Sequence, residues 1–163
     1  MPTSMTIQGC ISAAPCWATP ATAGSGSRFA GRCAKSSPDL KAIGLDIGET
    51  GDGQRFLNLD KHVGGSVDGI IESGVPGAIK TRHILEIKTH NKKSFDGLEK
   101  KGVKDSKPMH WAQMQIYMRG TEIDRALYVA VCKDDDRLYT ERVKYDEEAA
   151  GNLLDRGHRI ALA

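Results

Sequence analysis

Three stretches follow one another in this chain of 163 residues: Gly64-Gly65-Ser66-Val67-Asp68-Gly69, Leu85-Glu86-Ile87-Lys88, and Ala112-Gln113-Met114-Gln115-Ile116-Tyr117-Met118. The middle one decides the reading. Residues 83–90 form a strand, and residues i and i+2 of a strand share a face. Glu86 and Lys88 therefore project together, while Leu85 and Ile87 face the other way. Ile70 and Ile71 place a second half-buried strand just after Asp68. The third stretch has helical period. His110, Gln113 and Tyr117 fall on one face, and Trp111, Met114, Gln115 and Met118 on another.

The remaining elements are read outward from these. Residues 41–48 alternate as a strand, with Ile43, Leu45 and Ile47 on one face. Residues 49–53 are a turn cluster. Residues 55–60 read as a return strand and residues 64–72 as a third strand. Residues 73–82, with Gly74, Pro76 and Gly77, are a loop before the strand at 83–90. The first half is thus an antiparallel meander. Residues 94–101 make a short helix with Phe95 and Leu98 inward, and Gly102 stops it. Pro108 opens the next helix, and Gly120 fits its C-terminal stop. Residues 125–133 are almost all apolar and form a buried central strand. Residues 138–145 pair with it. Asp146 is the N-cap of a last helix, with Ala149, Ala150, Leu153, Leu154 and Ile160 as apolar positions.

Composition sets the bounds. Hydrophobic residues make up 39% and charged residues 27%, a globular balance that suits one domain. The net charge of +2 makes any basic surface local. No apolar run approaches the ~20 residues of a membrane span. The four cysteines, Cys10, Cys16, Cys33 and Cys132, show no zinc spacing. A reducing cytoplasm is the expected setting. Residues 1–38 stand apart as a low-complexity or disordered segment. They contain no Asp or Glu, and Arg28, Arg32 and Lys35 are their charges. The domain proper is expected over residues 39–163.

Glu-x-Lys on a strand is, taken alone, a common solvated pair, and Asp68 before Gly69 suits a turn. Taken together, the residues suit phosphodiester hydrolysis. That reaction uses a divalent metal to activate water and stabilise phosphate charge. Magnesium takes hard oxygen ligands and needs one or two carboxylates. Asp68 and Glu86 can supply them from neighbouring strands. Lys88 beside them can orient the water or stabilise the charge that develops on phosphorus. Six lysines between residues 92 and 107, Lys92 and Lys93 first among them, can track a phosphate backbone or simply solubilise a surface. His62, just before Gly64-Gly65, can lie at the mouth of the same cleft.

Asp68, Glu86-Ile87-Lys88 and Gln113-x-x-x-Tyr117, in that order, resemble the PD-(D/E)xK nuclease superfamily. The Gln-x-x-x-Tyr helix is similar to that of its lambda exonuclease and RecB-type group, above all the phage recombination nucleases. The resemblance covers residues 40–160. It implies an α/β fold, a mixed β-sheet flanked by helices in a restriction-endonuclease-like core. It implies a Mg2+- or Mn2+-dependent deoxyribonuclease acting on linear duplex DNA ends in recombination or repair. Asp68, Glu86 and the backbone carbonyl of Ile87 would be metal ligands and Lys88 the catalytic lysine. Gln113 and Tyr117 would support the site and contact DNA, with His110, Lys92 and Lys93 beside them. Homo-oligomers, a single-strand annealing partner protein and the cytoplasm of a bacterial or phage-infected host cell also belong to what the resemblance implies. The N-terminal part is atypical. The family places a helix, often with a further acidic or histidine residue, before the first strand, and residues 1–38 look unlike it. The alternative expectation is a truncated, catalytically weak remnant that only binds DNA.

Overall fold

The computed structural model describes residues 37–60 and 63–162. The low-complexity segment expected over residues 1–38 lies almost wholly outside them, as does His62. Five strands form the main sheet in the order β1-β4-β5-β6-β7. They are β1 (Asp46–Gly48), β4 (Gly69–Ser73), β5 (His83–His90), β6 (Arg125–Cys132) and β7 (Leu138–Lys144). A separate hairpin is made by β2 (Phe56–Asp60) and β3 (Val63–Ser66). The helices are α1 (Ser37–Ala42), α2 (Lys92–Ser106), α3 (Pro108–Thr121) and α4 (Glu147–Ala161). The mixed sheet flanked by helices is the expected fold class. Among the described residues no helix is long and apolar enough to cross a membrane.

β5 and β6 run parallel, and the other pairs of the main sheet are antiparallel. A parallel pair needs a long crossover. Here α2 and α3 supply it and cover one sheet face. That face carries the larger core, with Ile84, Phe95, Leu98, Met114, Met118, Ala126, Tyr128 and Ala130. Each such side chain contributes roughly 1.5–3 kcal/mol when fully buried, the alanines less. The opposite face packs Leu45, Ile47, Ile71, Val75, Leu85, Leu127 and Val129, with Leu40 and Ile87 against them. β6 supplies both faces, which explains its nearly unbroken apolar run.

The meander expected in the first half is not formed. Residues 41–48 are not one strand. α1 ends within them, and β1 begins only at Asp46. Gly44, at φ +96°, closes the helix. The amide of Leu45 donates to the Leu40 carbonyl (3.3 Å) and that of Gly44 to the Lys41 carbonyl (2.9 Å), a Schellman closure. Ile43 is left exposed, although Leu45 and Ile47 are buried as expected. The strand read over residues 64–72 is two strands in different sheets, broken at Val67-Asp68. β2 pairs with β3, and β1 pairs with β4.

The second half follows the sequence more closely, with two corrections. Gly102 (φ +75°) leaves the helical conformation and stops the first helical segment as expected, and α2 resumes beyond this kink to Ser106. The amide freed at Val103 donates to Glu141 Oε2 (2.8 Å). Gly120 is not a stop signal. A Cβ there would lie 2.7 Å from Leu59 Cδ2, so this glycine lets the hairpin approach α3. The left-handed residue that ends α3 is Glu122, at φ +57°. Ile160 is exposed rather than an inward position of α4.

Gln115, the polar residue on the apolar face of α3, is fully buried. Its Nε2 donates to the Lys144 carbonyl (3.0 Å), and its Oε1 accepts from the Asp146 amide (2.8 Å). It ties α3 to the junction of β7 and α4, where Asp146 caps the helix through Ala149 N (3.0 Å). Replacing Gln115 by Ala strands both backbone groups and opens a cavity. A loss of about 2–4 kcal/mol in urea unfolding is expected. A loss below about 1 kcal/mol would contradict this role.

Candidate active site

The break at Val67-Asp68 aims Asp68 across the sheet. β4 and β5 pair Gly69 with Leu85, which sets Asp68 opposite Glu86. Asp68 Oδ2 accepts from the amide of Ile87 (2.9 Å) and lies 4.0 Å from Lys88 Nζ. The three charged groups expected together, Asp68, Glu86 and Lys88, are therefore neighbours.

Glu86 and Lys88 share the sheet face covered by α2 and α3. Glu86 has 0% exposure, and its register partner on β6 is the buried Tyr128. Glu86 Oε1 forms an ion pair with Lys88 Nζ, but neither carboxylate oxygen has a hydrogen bond of ordinary geometry. Burial pushes the Glu86 carboxyl up to about 7; Lys88 opposes the shift and Asp68 adds to it. Burial acts to lower Lys88, yet Glu86 beside it, Asp68 and Tyr117 together outweigh burial. Lys88 is held above an ordinary lysine and stays charged.

α3 lies over this trio. Tyr117 is nearly buried, and its hydroxyl accepts from Gln113 Nε2 (3.0 Å). A Cβ on Gly65 would lie 2.6 Å from that hydroxyl, so β3 leaves room for Tyr117 by carrying glycine. Burial raises the Tyr117 phenol, which stays neutral within the field of Glu86, Lys88 and Asp68. Gln113 and Tyr117 are one turn apart on the expected face, and the phenolic proton remains available to a ligand.

His110, at the start of that face, is half-buried and engages Tyr128: the His110 Nδ1 to Tyr128 Oη distance is 2.8 Å. His90 Nε2 approaches the same hydroxyl at 2.9 Å. Tyr128 escaped the sequence reading because it sits in an apolar run. A buried tyrosine needs a partner for its hydroxyl, and two nearby histidines were the available signal. The lysine segment is divided in its roles. Lys92 Nζ pairs with Asp96 (3.4 Å) and Asp135 (3.9 Å), and Lys107 donates to Ser94 Oγ (2.6 Å). Lys104 sits over the Trp111 ring. Lys93, Lys100 and Lys101 are exposed.

The donor set suits a hard cation. Glu86 offers a buried carboxylate partnered by Lys88, and Asp68 stands across from it. Among the described residues no three His, Cys, Asp or Glu side chains converge. Two carboxylates are enough for an ion that keeps several of its waters.

No protein-family model matches this chain, and no curated protein matches it in sequence. Solved structures do match its fold. The alkaline exonuclease LHK-Exo from Laribacter hongkongensis aligns with 74% of this chain and 61% of its own, at TM-score 0.51 and 22% identity. LHK-Exo in complex with dAMP aligns with 73% of this chain and 56% of its own, at TM-score 0.51 and 19% identity. This chain thus spans 56–61% of the length of these solved chains. At such identities the likeness is one of fold, and the fold is that of these alkaline exonuclease structures.

Proposed function

We propose that this chain is a divalent-metal-dependent deoxyribonuclease of the lambda exonuclease type, acting on ends of linear duplex DNA. The observation that carries the reading is Glu86. It is a wholly buried carboxylate whose charge is met by the Lys88 ammonium, set beside Asp68 beneath a Gln113–Tyr117 pair. One lysine compensates such a buried carboxylate only in part, and a bound cation would supply the rest.

Asp68 and Glu86, with the Ile87 carbonyl, would hold Mg2+ or Mn2+. When bound, such an ion lowers the pKa of a coordinated water and neutralises charge on the phosphate. The chain's own residues do the rest. The amide of Ile87 fixes Asp68 and so orients its free oxygen. Lys88, kept protonated between two carboxylates, donates to a phosphate oxygen as negative charge grows there. Tyr117, held by Gln113, donates its phenolic proton to the phosphate or sugar. Lys93, Lys100 and Lys101 contact the DNA backbone and make binding salt-dependent.

The test is cleavage of end-labelled linear duplex DNA by the full chain. Cleavage is expected with Mg2+ or Mn2+ and none with EDTA. Glu86→Ala removes a ligand and should abolish activity while the variant stays folded. Lys88→Ala should keep metal binding and slow cleavage by about 100- to 1000-fold. Full activity in either variant, or cleavage in EDTA, would reject the site assignment.

A further inference from the structure

Tyr128 is the centre of a polar chain that the nuclease reading does not use. Lys107 Nζ donates to Ser94 Oγ (2.6 Å). Ser94 Oγ lies 3.2 Å from His90 Nδ1, and His90 Nε2 lies 2.9 Å from Tyr128 Oη. Tyr128 Oη lies 2.8 Å from His110 Nδ1. The two imidazole rings are 5.6 Å apart, and Tyr128 is fully buried. Four linked contacts running from α2 through β5 and β6 to α3 are more than these side chains need to fill space.

The direction of the protons follows from donor and acceptor capacity. A lysine ammonium only donates, whereas a hydroxyl has one proton and two lone pairs. With one lone pair of Ser94 taken by Lys107, its proton is satisfied within the chain by donation to His90 Nδ1. The opposite direction would place two donors on Ser94 and leave its own proton without an acceptor here. His90 then carries its proton on Nε2 and donates to Tyr128. Tyr128 donates to His110 Nδ1, and the His110 proton must sit on Nε2. Both imidazoles are neutral in this arrangement. Burial, with Lys107 next, pushes His90 down to about 4, and burial and Lys88 lower His110.

We infer that Tyr128 is a positioning residue that locks His110 as the neutral Nε2–H tautomer, presenting a fixed hydrogen-bond donor to a phosphate oxygen of the bound DNA. The relay itself stands on hydrogen-bond geometry. The phosphate as its ligand rests on the nuclease reading. In this state His110 Nε2 has no lone pair and serves neither as a metal ligand nor as a base. His110 shares its helix face with Gln113 and Tyr117, so three neutral donors would line one wall above the carboxylates.

The test is two-bond proton–nitrogen NMR of the full chain labelled with 15N-histidine, at pH 7.5 without metal. His90→Gln and His110→Gln assign the signals. Nε2–H is expected for both residues. Tyr128→Phe should release His110 toward the tautomer mixture of a free imidazole, and Ser94→Ala should release His90. A His110 protonated on Nδ1 in the wild type would overturn the relay, as would an unchanged His110 in folded Tyr128→Phe. DNA binding in EDTA is the second readout, and Tyr128→Phe should weaken it about tenfold. Expected tautomers in a wild type that binds no DNA would overturn the phosphate role and the nuclease reading together, leaving the relay. A reversed tautomer in a chain that still cleaves DNA would overturn the relay alone.

Discussion

A carboxylate taken out of water must find compensation or give up its charge. Glu86 finds only part of it. It has no exposure and one ionic neighbour, and its pKa rises from the usual carboxylate range to about 7. That rise corresponds to a cost on the order of 3 kcal/mol for the charged form in the ion-free protein. The surrounding structure keeps this unfavourable group in place. β5 is a central strand, flanked by β4 and β6, and cannot shift without dismantling both ladders. Its parallel pairing with β6 forces the chain through α2 and α3. Those helices seal the face on which Glu86 and Lys88 lie.

The same constraint accounts for the irregular features nearby. The chain leaves one sheet at Ser66 and enters another at Gly69, and the break exposes Asp68 at the position opposite Glu86. Gly65 and Gly120 let the β2–β3 hairpin close on α3, where a side chain would strike Tyr117 or Leu59. The hairpin thus helps seat Tyr117 above the carboxylates. Beneath α3, the His90–Tyr128–His110 chain holds a second polar group at the start of the same helix face. Stability is spent where Asp68, Glu86, Lys88 and Tyr117 converge, and it is recovered in the two apolar clusters on either side of the sheet.

Much of this was legible in the sequence where periodicity and chemistry agree. β5, β6, β7 and α4 announce themselves by alternation, an apolar run and the Asp146 cap. The convergence of Asp68, Glu86 and Lys88 follows from strand period together with a sheet neighbour. The first half was harder because local pattern and long-range pairing disagree there. Ile43, Leu45 and Ile47 alternate like a strand, yet Gly44 closes a helix between them. Nothing local says that β1 pairs with β4 across a hairpin, because that choice belongs to the whole sheet. Gly120 misled for a related reason. A glycine near a helix end suggests a stop, and only the packed hairpin reveals the close approach. Tyr128 was hidden by its apolar neighbours. Its role depends on which histidines the fold brings to its hydroxyl.

Thermal melting of the wild type and Glu86→Gln at pH 8, with and without Mn2+, tests the central claim most directly. The folded pKa of Glu86 lies above its unfolded value. Its destabilising effect is therefore absent at low pH, grows as pH rises from about 4.5 through about 7, and is complete at pH 8. Without metal, Glu86→Gln should melt above the wild type, because an amide has no charge to bury. Mn2+ should then raise the wild type and leave the variant unmoved. A variant that melts below the wild type without metal, with Mn2+ shifting both proteins equally, would show that Glu86 is a structural residue and not a cation ligand.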